Sequence, residues 1–362
     1  MSRVMALGAI RTNWRSSNIS VVTRLAAASA VLGVLLIVAM LASLSMGPVS
    51  IPVTHVASIV LEPIGLDFAT YSRTEELVIE QLRLPRIIVG ALVGMALGVA
   101  GATMQGLFRN PMADPGIIGV SAGGALGAVI AIALGISGIF YQALSAFAFL
   151  GAMGAAFLVY GIATVGGRFN MATLLLAGVA VSAFFGAIVS AIMILVPSNE
   201  ALREILFWLT GGLDSRSWEH VRLAAPPIIG ASAIIFVMSR DLNLLMLGDD
   251  EAKSMGVRVG AIRPGLLAAA SLITGVAVAV SGTIAFVGLV VPHMLRLVVG
   301  PDHRVLIPLS AVGGALFMVI ADTIARTVVQ PAEFRVGIIT AFVGAPFFIF
   351  LLIRNKRHTT AF

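Results

Sequence analysis

Ten apolar segments, separated by short charged or Pro/Gly-rich stretches, are the feature that most constrains how this chain folds. A helix that crosses the hydrocarbon core of a bilayer needs about 17 to 25 mostly apolar residues. Hydrophobic residues make up 59% of the 362 residues and charged residues only 11%, a composition that the core of a soluble domain does not absorb. The sequence therefore predicts an all-α polytopic membrane protein. Its predicted transmembrane segments are 24–46, 84–107, 116–136, 140–165, 171–196, 219–240, 263–282, 284–299, 305–327 and 335–353.

The basic residues predict which side of the membrane holds the termini. Ten spans place both termini on one side, and that side carries 15 of the 23 Lys and Arg residues. Cytoplasmic loops are enriched in Lys and Arg, so both termini are expected in the cytoplasm. The run after Arg24 is as long as a full span and lacks a small-residue cleavage motif, which predicts a retained helix. We therefore expect cytoplasmic tails at 1–23 and 355–362, with the transmembrane domain covering 24–354.

An internal similarity suggests two halves. GAAFLVYGIA from Gly154 resembles GALFMVIADTIA from Gly314, and LLLAGVA from Leu174 resembles IITAFVGA from Ile338, at offsets of 160 and 164 residues. Transporters are often built from repeated halves, so the sequence predicts two five-helix halves in the same order. Residues 240–263 then form an insertion without a counterpart in the first half. Two of the ten segments, the third and the eighth, are interrupted by Gly or Pro, and their full crossing stays open.

Several kinds of chemistry have no sequence support. The chain has no cysteine, so disulfides, thiolate metal sites and thiol nucleophiles are excluded. A GxxxxGK[ST] phosphate loop, an HExxH metal motif and a GxSxG nucleophile elbow are missing as well. We expect a protein that is not an enzyme, binds no metal or cofactor, and does not bind nucleic acid. Energy for any transport must come from another protein.

The longest polar stretch on the predicted cytoplasmic side is RDLNLLMLGDDEAKSMGVRVGAIR at 240–263. Acidic residues follow Gly248 and Lys253 lies later, an arrangement that favours a short helix ending at Gly256. Such a helix is either a solvated connector or a docking helix for a cytoplasmic partner. Both alternatives stay open on these residues alone.

A second notable segment is FRNPMADPGIIGVSAGGALG at 108–127. Two prolines within five residues predict a sharp turn. Gly119 and Gly123 follow as a small-xxx-small pair that lets another helix approach closely. The segment indicates either helix packing alone or a constriction at the cytoplasmic end of a pore.

A few charged or polar residues lie near or inside the apolar segments. Arg83 and Arg86 flank the start of the second segment, where snorkelling to the interface is the ordinary role. Arg326 lies four residues after Asp322, so the two are expected to face each other on one helix. His293 is more typical of a hydrogen-bonded structural residue than of a metal ligand, because no second ligand stands at helical spacing.

Taken together, these segments resemble the permease subunits of ATP-binding-cassette importers for iron chelates, haem and cobalamin, the FecCD family. The resemblance covers about 24–354 and includes an architecture like that of the cobalamin importer permease. The matching motifs, in chain order, are RLPR at 83–86, GATMQGLFRNPMADPGIIGVSAG at 101–123, LLLAGV at 174–179, LGDDEAKSMGV at 247–257, FVGLVVPHMLR at 286–296, DHR at 302–304, ADTIAR at 321–326 and VGIITAFVGAPFF at 336–348.

The resemblance implies a complex with several partners. Two permeases would form a homodimer in the bacterial inner membrane, surrounded by lipid, with two cytoplasmic ATPase subunits that use ATP and Mg. A periplasmic binding protein would deliver a ferric siderophore or haem, with cobalamin as the alternative cargo. From a different class, a proton-driven secondary transporter would need Asp322 as its carboxylate, and an intramembrane enzyme is a distant third.

The resemblance also implies roles for particular residues. In the cobalamin member, arginines matching Arg83, Arg86 and Arg326 meet carboxylates of the binding protein. The cytoplasmic gate would comprise two segments, with Asn110 and Met112 in the first and Met171 and Ala172 in the second. At the second pair, the cobalamin member has small hydroxyl residues, so this chain departs from it there. The helix that couples the permease to the ATPase would comprise Leu247, Gly248, Asp249, Asp250, Glu251, Ala252, Lys253, Ser254, Met255 and Gly256.

Overall fold

Each predicted transmembrane segment coincides with a helix in the computed structural model, which describes residues 21–66, 68–138, 142–166, 169–329 and 332–359. No strand occurs in these ranges, so the all-α prediction is confirmed. The helices are α1 (Val21–Ser45), α2 (Val53–Leu61), α3 (Arg73–Leu77), α4 (Leu84–Leu107), α5 (Val120–Ala133), α6 (Ala143–Ala163), α7 (Met171–Leu195), α8 (Asn199–Leu209), α9 (Trp218–Val237), α10 (Ser239–Leu245), α11 (Asp249–Ser254), α12 (Val259–Ser281), α13 (Val287–Val299), α14 (His303–Thr327) and α15 (Val336–Thr359).

Seven helical stretches of the described chain are long and apolar enough to cross a membrane. They are α1, α6, α7, α9, α12, α14 and the continuous helix in which a π-helical turn joins α3 to α4. The segments whose crossing the sequence left open are the shorter helices α5 and α13, of 14 and 13 residues. At 1.5 Å per residue, each is only about 20 Å long, which is less than the hydrocarbon thickness of about 30 Å.

Helices α4, α12 and α14 form the interior of the bundle, while α7 is mostly exposed. The contact between α4 and α14 is a backbone contact made possible by glycine. A Cβ atom on Gly94 would overlap the carbonyl of Gly314, and one on Gly98 would overlap the carbonyl of Ser310. Because lipid is as apolar as a side chain, close backbone packing of this kind is a main source of helix association in membranes.

The order of helices repeats as the sequence predicts. Helix α5 packs on α6 as α13 packs on α14, and α4 contacts α12 between the two halves. The expectation that 240–263 lacks a counterpart is wrong, because α2 and α3 lie between α1 and α4 just as α10 and α11 lie between α9 and α12. Each half contributes five helices to the bundle, α1, α4, α5, α6 and α7 or α9, α12, α13, α14 and α15, so the two equivalent segments lie at opposite ends of the bundle. The amphipathic helix α8 is an element that the sequence reading missed.

Loops gather at two ends of the bundle, in agreement with alternating spans. At the α11 end, which comprises α10, α11 and the loops before α5, α7 and α14, Asn243 donates to Asp302 at 2.7 Å. At the α2 end, which comprises α2, α3 and the loops before α9 and α15, Trp218 donates to the carbonyl of Glu80 at 2.9 Å. The N-terminal tail lies outside the described residues, and which end faces the cytoplasm stays a prediction.

Candidate functional site

The short helix α11 has the local structure that its sequence predicts. It begins after Gly248, which has a φ of 145°, and is followed by Gly256 with a φ of 87°. Both values lie in a region that side chains other than glycine rarely adopt. A Cβ atom on Gly248 would also overlap the carboxylate of Glu251, which folds back against it. These two glycines therefore limit α11 to less than two turns.

One face of α11 is buried, and its flanks and solvent side are exposed. Ala252 of α11 is fully buried, on the side of the helix that faces the bundle. Leu247 and Met255, which flank α11, are 59% and 58% exposed. Lys253 and Asp250 form an ion pair of 3.1 Å on the solvent side. Apolar side chains framed by charges at the end of a bundle are typical of an interaction surface.

The first carboxylate of α11 is held by arginines from two other segments. Arg263 donates to both oxygens of Asp249, at 2.8 and 2.5 Å. Arg109 donates to Oδ1 of Asp249 at 3.1 Å. The hydrogen bonds from Arg263, more than any other contact, lower the pKa of Asp249 below its usual range. The sequence reading missed both arginines as functional residues, although they stand in the FRNP motif and at the end of the polar stretch.

The first predicted gate segment is the loop between α4 and α5. Arg109 has a φ of 50°, and the side chain of Asn110 accepts from the backbone N–H of Met112 at 2.9 Å. A 3-10 turn, Pro115–Ile118, follows and packs so closely on α7 that a Cβ on Gly178 would overlap the carbonyl of Ile117. Asn110 and Met112 thus lie at the α11 end, on a loop in direct contact with α7.

The second predicted gate segment is the start of α7 itself. Asn170 caps this helix by accepting from the backbone N–H groups of Ala172 and Thr173 at 2.9 and 3.2 Å. Met171 is half-buried against the core, and Ala172 is exposed. Helix α7 therefore connects the two predicted gate segments, while the gate role of these four residues stays a prediction.

At the α2 end, the three arginines predicted for docking have partners inside the chain. The expected pair on α14 is confirmed, because Arg326 donates to Asp322 at 3.1 Å, and these side chains are 3% and 2% exposed. Arg326 also donates to Oγ of Ser43 at 2.6 Å. Arg83 is buried and donates to the carbonyl of Leu44 at 2.5 Å. Arg83 and Arg326 thus hold the end of α1 against α4 and α14.

Arg86 is the hub of the cluster at the α2 end. Its guanidinium donates to Asp322 at 2.9 Å and to Glu333 at 2.8 Å, and it lies 3.6 Å from Asp214. Asp214 also pairs with Arg335, whose guanidinium lies 4.3 Å from the centre of the Phe207 ring on α8. A cavity of about 470 Å³, whose lining includes charged side chains, adjoins these contacts and is lined in part by α8. The docking role of the three arginines stays a prediction.

The described ranges contain no cluster of three or more His, Cys, Asp or Glu side chains that could hold a metal ion. His293 is buried, and its ring packs edge-on to Phe347 with 6.3 Å between the ring centres. Its buried Nδ1 has no hydrogen-bond partner among the described residues, so the hydrogen bond expected from the sequence is not found at this atom.

Comparisons with known proteins agree with one another. The sequence model of the FecCD transport family matches residues 35–354. The chain is 42% identical to a cobalamin import system permease protein of Halobacterium salinarum, covering 91% of this chain and 96% of the relative. It is 40% identical to a ferric enterobactin transport system permease protein of Escherichia coli, covering 89% and 94%. It is also 40% identical to a hemin transport system permease protein of Yersinia pestis, covering 76% and 83%.

A solved structure is similar over nearly its whole length. It is described as a metal-chelate type ABC transporter in an inward-facing conformation. The TM-score is 0.79 at 33% sequence identity, covering 90% of this chain and 98% of that one. The similarity therefore extends to the three-dimensional arrangement of the spans.

Proposed function

Because the chain belongs to the FecCD transport family, we propose that it is the permease through which an importer moves an iron chelate, a ferric siderophore or haem, from a periplasmic binding protein to the cytoplasm. The observation that carries the proposal is α11, a glycine-limited helix whose exposed flanks stand at one end of the helical bundle. The chain lacks a phosphate loop of its own. A separate ATPase that binds ATP and Mg would supply the energy, and this chain would bind no cofactor.

The surface around α11 suits docking into a cleft of that ATPase. Leu247 and Met255 would bury apolar area on contact, and Lys253 would meet acidic groups at the rim. The segment from Leu247 to Gly256 would move as one short unit, because Gly248 and Gly256 end α11 on both sides.

The exposed surface of α7 supports a homodimer with the path between two copies. Leu176, Phe184 and Ile194 on α7 are exposed, as is Phe342 on α15. Lipid covers such surfaces well, so exposure alone does not distinguish a partner from the bilayer. The additional feature is that α7 carries one gate segment and contacts the other, so a path beside α7 would be controlled at its α11 end.

Arg86 is the best placed of the three arginines to meet a carboxylate of the binding protein. It is 12% exposed, and its partner Glu333 is 29% exposed at the rim of the cluster. A carboxylate of an incoming protein would replace Glu333 at the guanidinium. Arg83 and Arg326 would contribute by fixing the end of α1, rather than by touching the partner.

Cobalamin is the alternative cargo, favoured by the 42% identity to a cobalamin permease over most of both chains. The proton-driven alternative is disfavoured by the cluster at the α2 end. Both oxygens of Asp322 accept from guanidinium groups of Arg86 and Arg326, so the carboxylate serves as a structural ion-pair partner.

The proposal is tested by reconstitution in proteoliposomes with the ATPase and binding protein that co-purify with the chain. Uptake of radiolabelled ferric siderophore, haem and cobalamin would be measured with and without ATP. We expect Gly248→Ala to abolish ATP-dependent uptake, because a residue with a Cβ is strained at a φ of 145° and its Cβ would also displace the carboxylate of Glu251. The matched control is Gly260→Ala, since Gly260 has open space around its Cα. Uptake that needs no ATP, or that survives Gly248→Ala unchanged, would contradict the proposal.

A further inference from the structure

Among the three acidic residues that open α11, Asp249 alone bonds to segments outside the helix and its flanks. Asp250 is 93% exposed in its side chain and pairs with Lys253 in the same helix. Glu251 folds back on Gly248. Asp249 instead accepts from arginines that lie 140 residues before it and 14 residues after it. Its role therefore differs from that of a simple helix-terminal acid.

The first connection leads to the α4–α5 loop. Besides its bond to Asp249, Arg109 donates from Nε to the carbonyl of Leu245 at 3.1 Å, so its guanidinium holds both α10 and α11. Its own backbone has a φ of 50°, a left-handed conformation that is uncommon for residues other than glycine. The side-chain contacts thus hold the loop in this conformation directly before Asn110 and Met112.

The second connection leads to the start of α7. Arg263 lies in the first turns of α12, and its guanidinium is 5.8 Å from the centre of the Phe169 ring. Stacking of a guanidinium on an aromatic face is attractive. Phe169 immediately precedes Asn170, the residue that caps α7. Through Arg263, Asp249 is therefore connected to the segment that contains Met171 and Ala172.

We infer that Asp249 is a positioning residue that joins α11 to both gate segments, to residues 108–114 through Arg109 and to residues 169–172 through Arg263. The inference rests on the proposed function and deepens it, because it specifies how movement of α11 reaches the path. Charge-assisted hydrogen bonds are directional. Asp249 accepts two of them from Arg263 and one from Arg109, so a displaced Asp249 moves both guanidinium groups with it. One carboxylate thus makes the two segments respond together.

A simpler reading treats the acids only as favourable charges at a helix N-terminus. Under that reading, Asp249 and Asp250 are equivalent, and neutralising either has the same small, local effect. The two readings therefore differ for a pair of adjacent residues of the same type, which makes Asp250 the matched control.

The first test uses the full chain alone in lipid nanodiscs, with amide hydrogen exchange as the readout. We expect Asp249→Asn to speed exchange about tenfold in both 108–114 and 169–174, a typical size for coupling between sites. Arg109→Gln should speed exchange only in the first segment, and Arg263→Gln only in the second. Asp250→Asn should change neither. Equal effects of the two aspartate variants, or changes confined to α11, would overturn the inference.

The second test measures coupling in the reconstituted complex. In Asp249→Asn, the amount of radiolabelled chelate taken up per ATP hydrolysed should fall about tenfold. Asp249→Glu should restore most of this ratio, because it keeps the carboxylate. Asp241→Asn, on α10, is the control and should match the unmodified chain. An unchanged ratio in Asp249→Asn would refute the inference.

Failure of the inference is distinguishable from failure of the proposed function. If the unmodified chain binds no ATPase and takes up no chelate, the proposed function is wrong. The exchange experiment still decides in that case whether Asp249 connects the two segments, because it requires no partner.

Discussion

Neutralising Asp322 should destabilise the chain strongly, because this carboxylate is shared by two arginines in the interior. Asp322 is 2% exposed and Arg326 3% exposed, and Arg86 completes the group at 2.9 Å. Removing one partner of a buried ion pair costs about 3 to 5 kcal/mol, since a charge is left without compensation. In Asp322→Asn, Arg86 keeps Glu333 and Arg326 keeps Ser43, so we expect the lower end, about 3 kcal/mol.

The measurement is thermal unfolding of the full chain in nanodiscs. For a chain of this length, 1 kcal/mol corresponds to about 2 °C, so the midpoint should fall by about 6 °C. Asp250→Asn is the control, because an exposed pair contributes little. The double variant Asp322→Asn/Arg326→Met should recover part of the loss by removing the uncompensated charge. The reasoning would be refuted if the midpoint of Asp322→Asn equalled that of Asp250→Asn. It would also be refuted if the fall in midpoint of the double variant equalled the sum of the falls in Asp322→Asn and Arg326→Met.

Three further outcomes are expected. Gly94→Ala should destabilise the α4–α14 contact by about 1 to 3 kcal/mol, as overpacking does, whereas Gly154→Ala, with open space at its Cα, should leave the thermal midpoint unchanged. Asp302 caps α14, and the hydrogen bond from a neighbouring guanidinium lowers its pKa to about 2. Its stabilisation should be complete above about pH 4 and be lost as the pH falls through 2. The difference in thermal midpoint between Asp302→Asn and the unmodified chain should therefore vanish below about pH 2. Glu333→Gln should tighten binding of the co-purifying binding protein, because it frees the guanidinium of Arg86, while Glu76→Gln should not. Equal affinities of Glu333→Gln and the unmodified chain in a binding titration would exclude the replacement of Glu333 by a carboxylate of the binding protein.

The spans and α11 are predictable from sequence because their signals are local. Apolar length specifies a membrane helix, and the Gly248 and Gly256 positions limit α11 through their backbone conformation alone. The pair between Asp322 and Arg326 is equally local, since a spacing of four residues places both on one helix face. Such features need no knowledge of how the helices are arranged.

The partners of the functional side chains depend on that arrangement. Asp249 and Arg109 are 140 residues apart, and Arg86 and Asp322 are 236 apart. No helical or strand periodicity relates such positions, so the sequence reading assigned Arg86 to the surface and gave Arg109 no role.

The amino-acid sequence by itself determined the all-α bundle, its repeated order and the short helix α11, since apolar length, glycine and charge spacing act within one segment. Tertiary structure alone decided that Asp249 meets Arg109 and Arg263, and that Arg86 is paired inside the chain. The physical reason is that these ion pairs form only where helices cross. The crossings are set by backbone contacts such as that between Gly94 of α4 and Gly314 of α14.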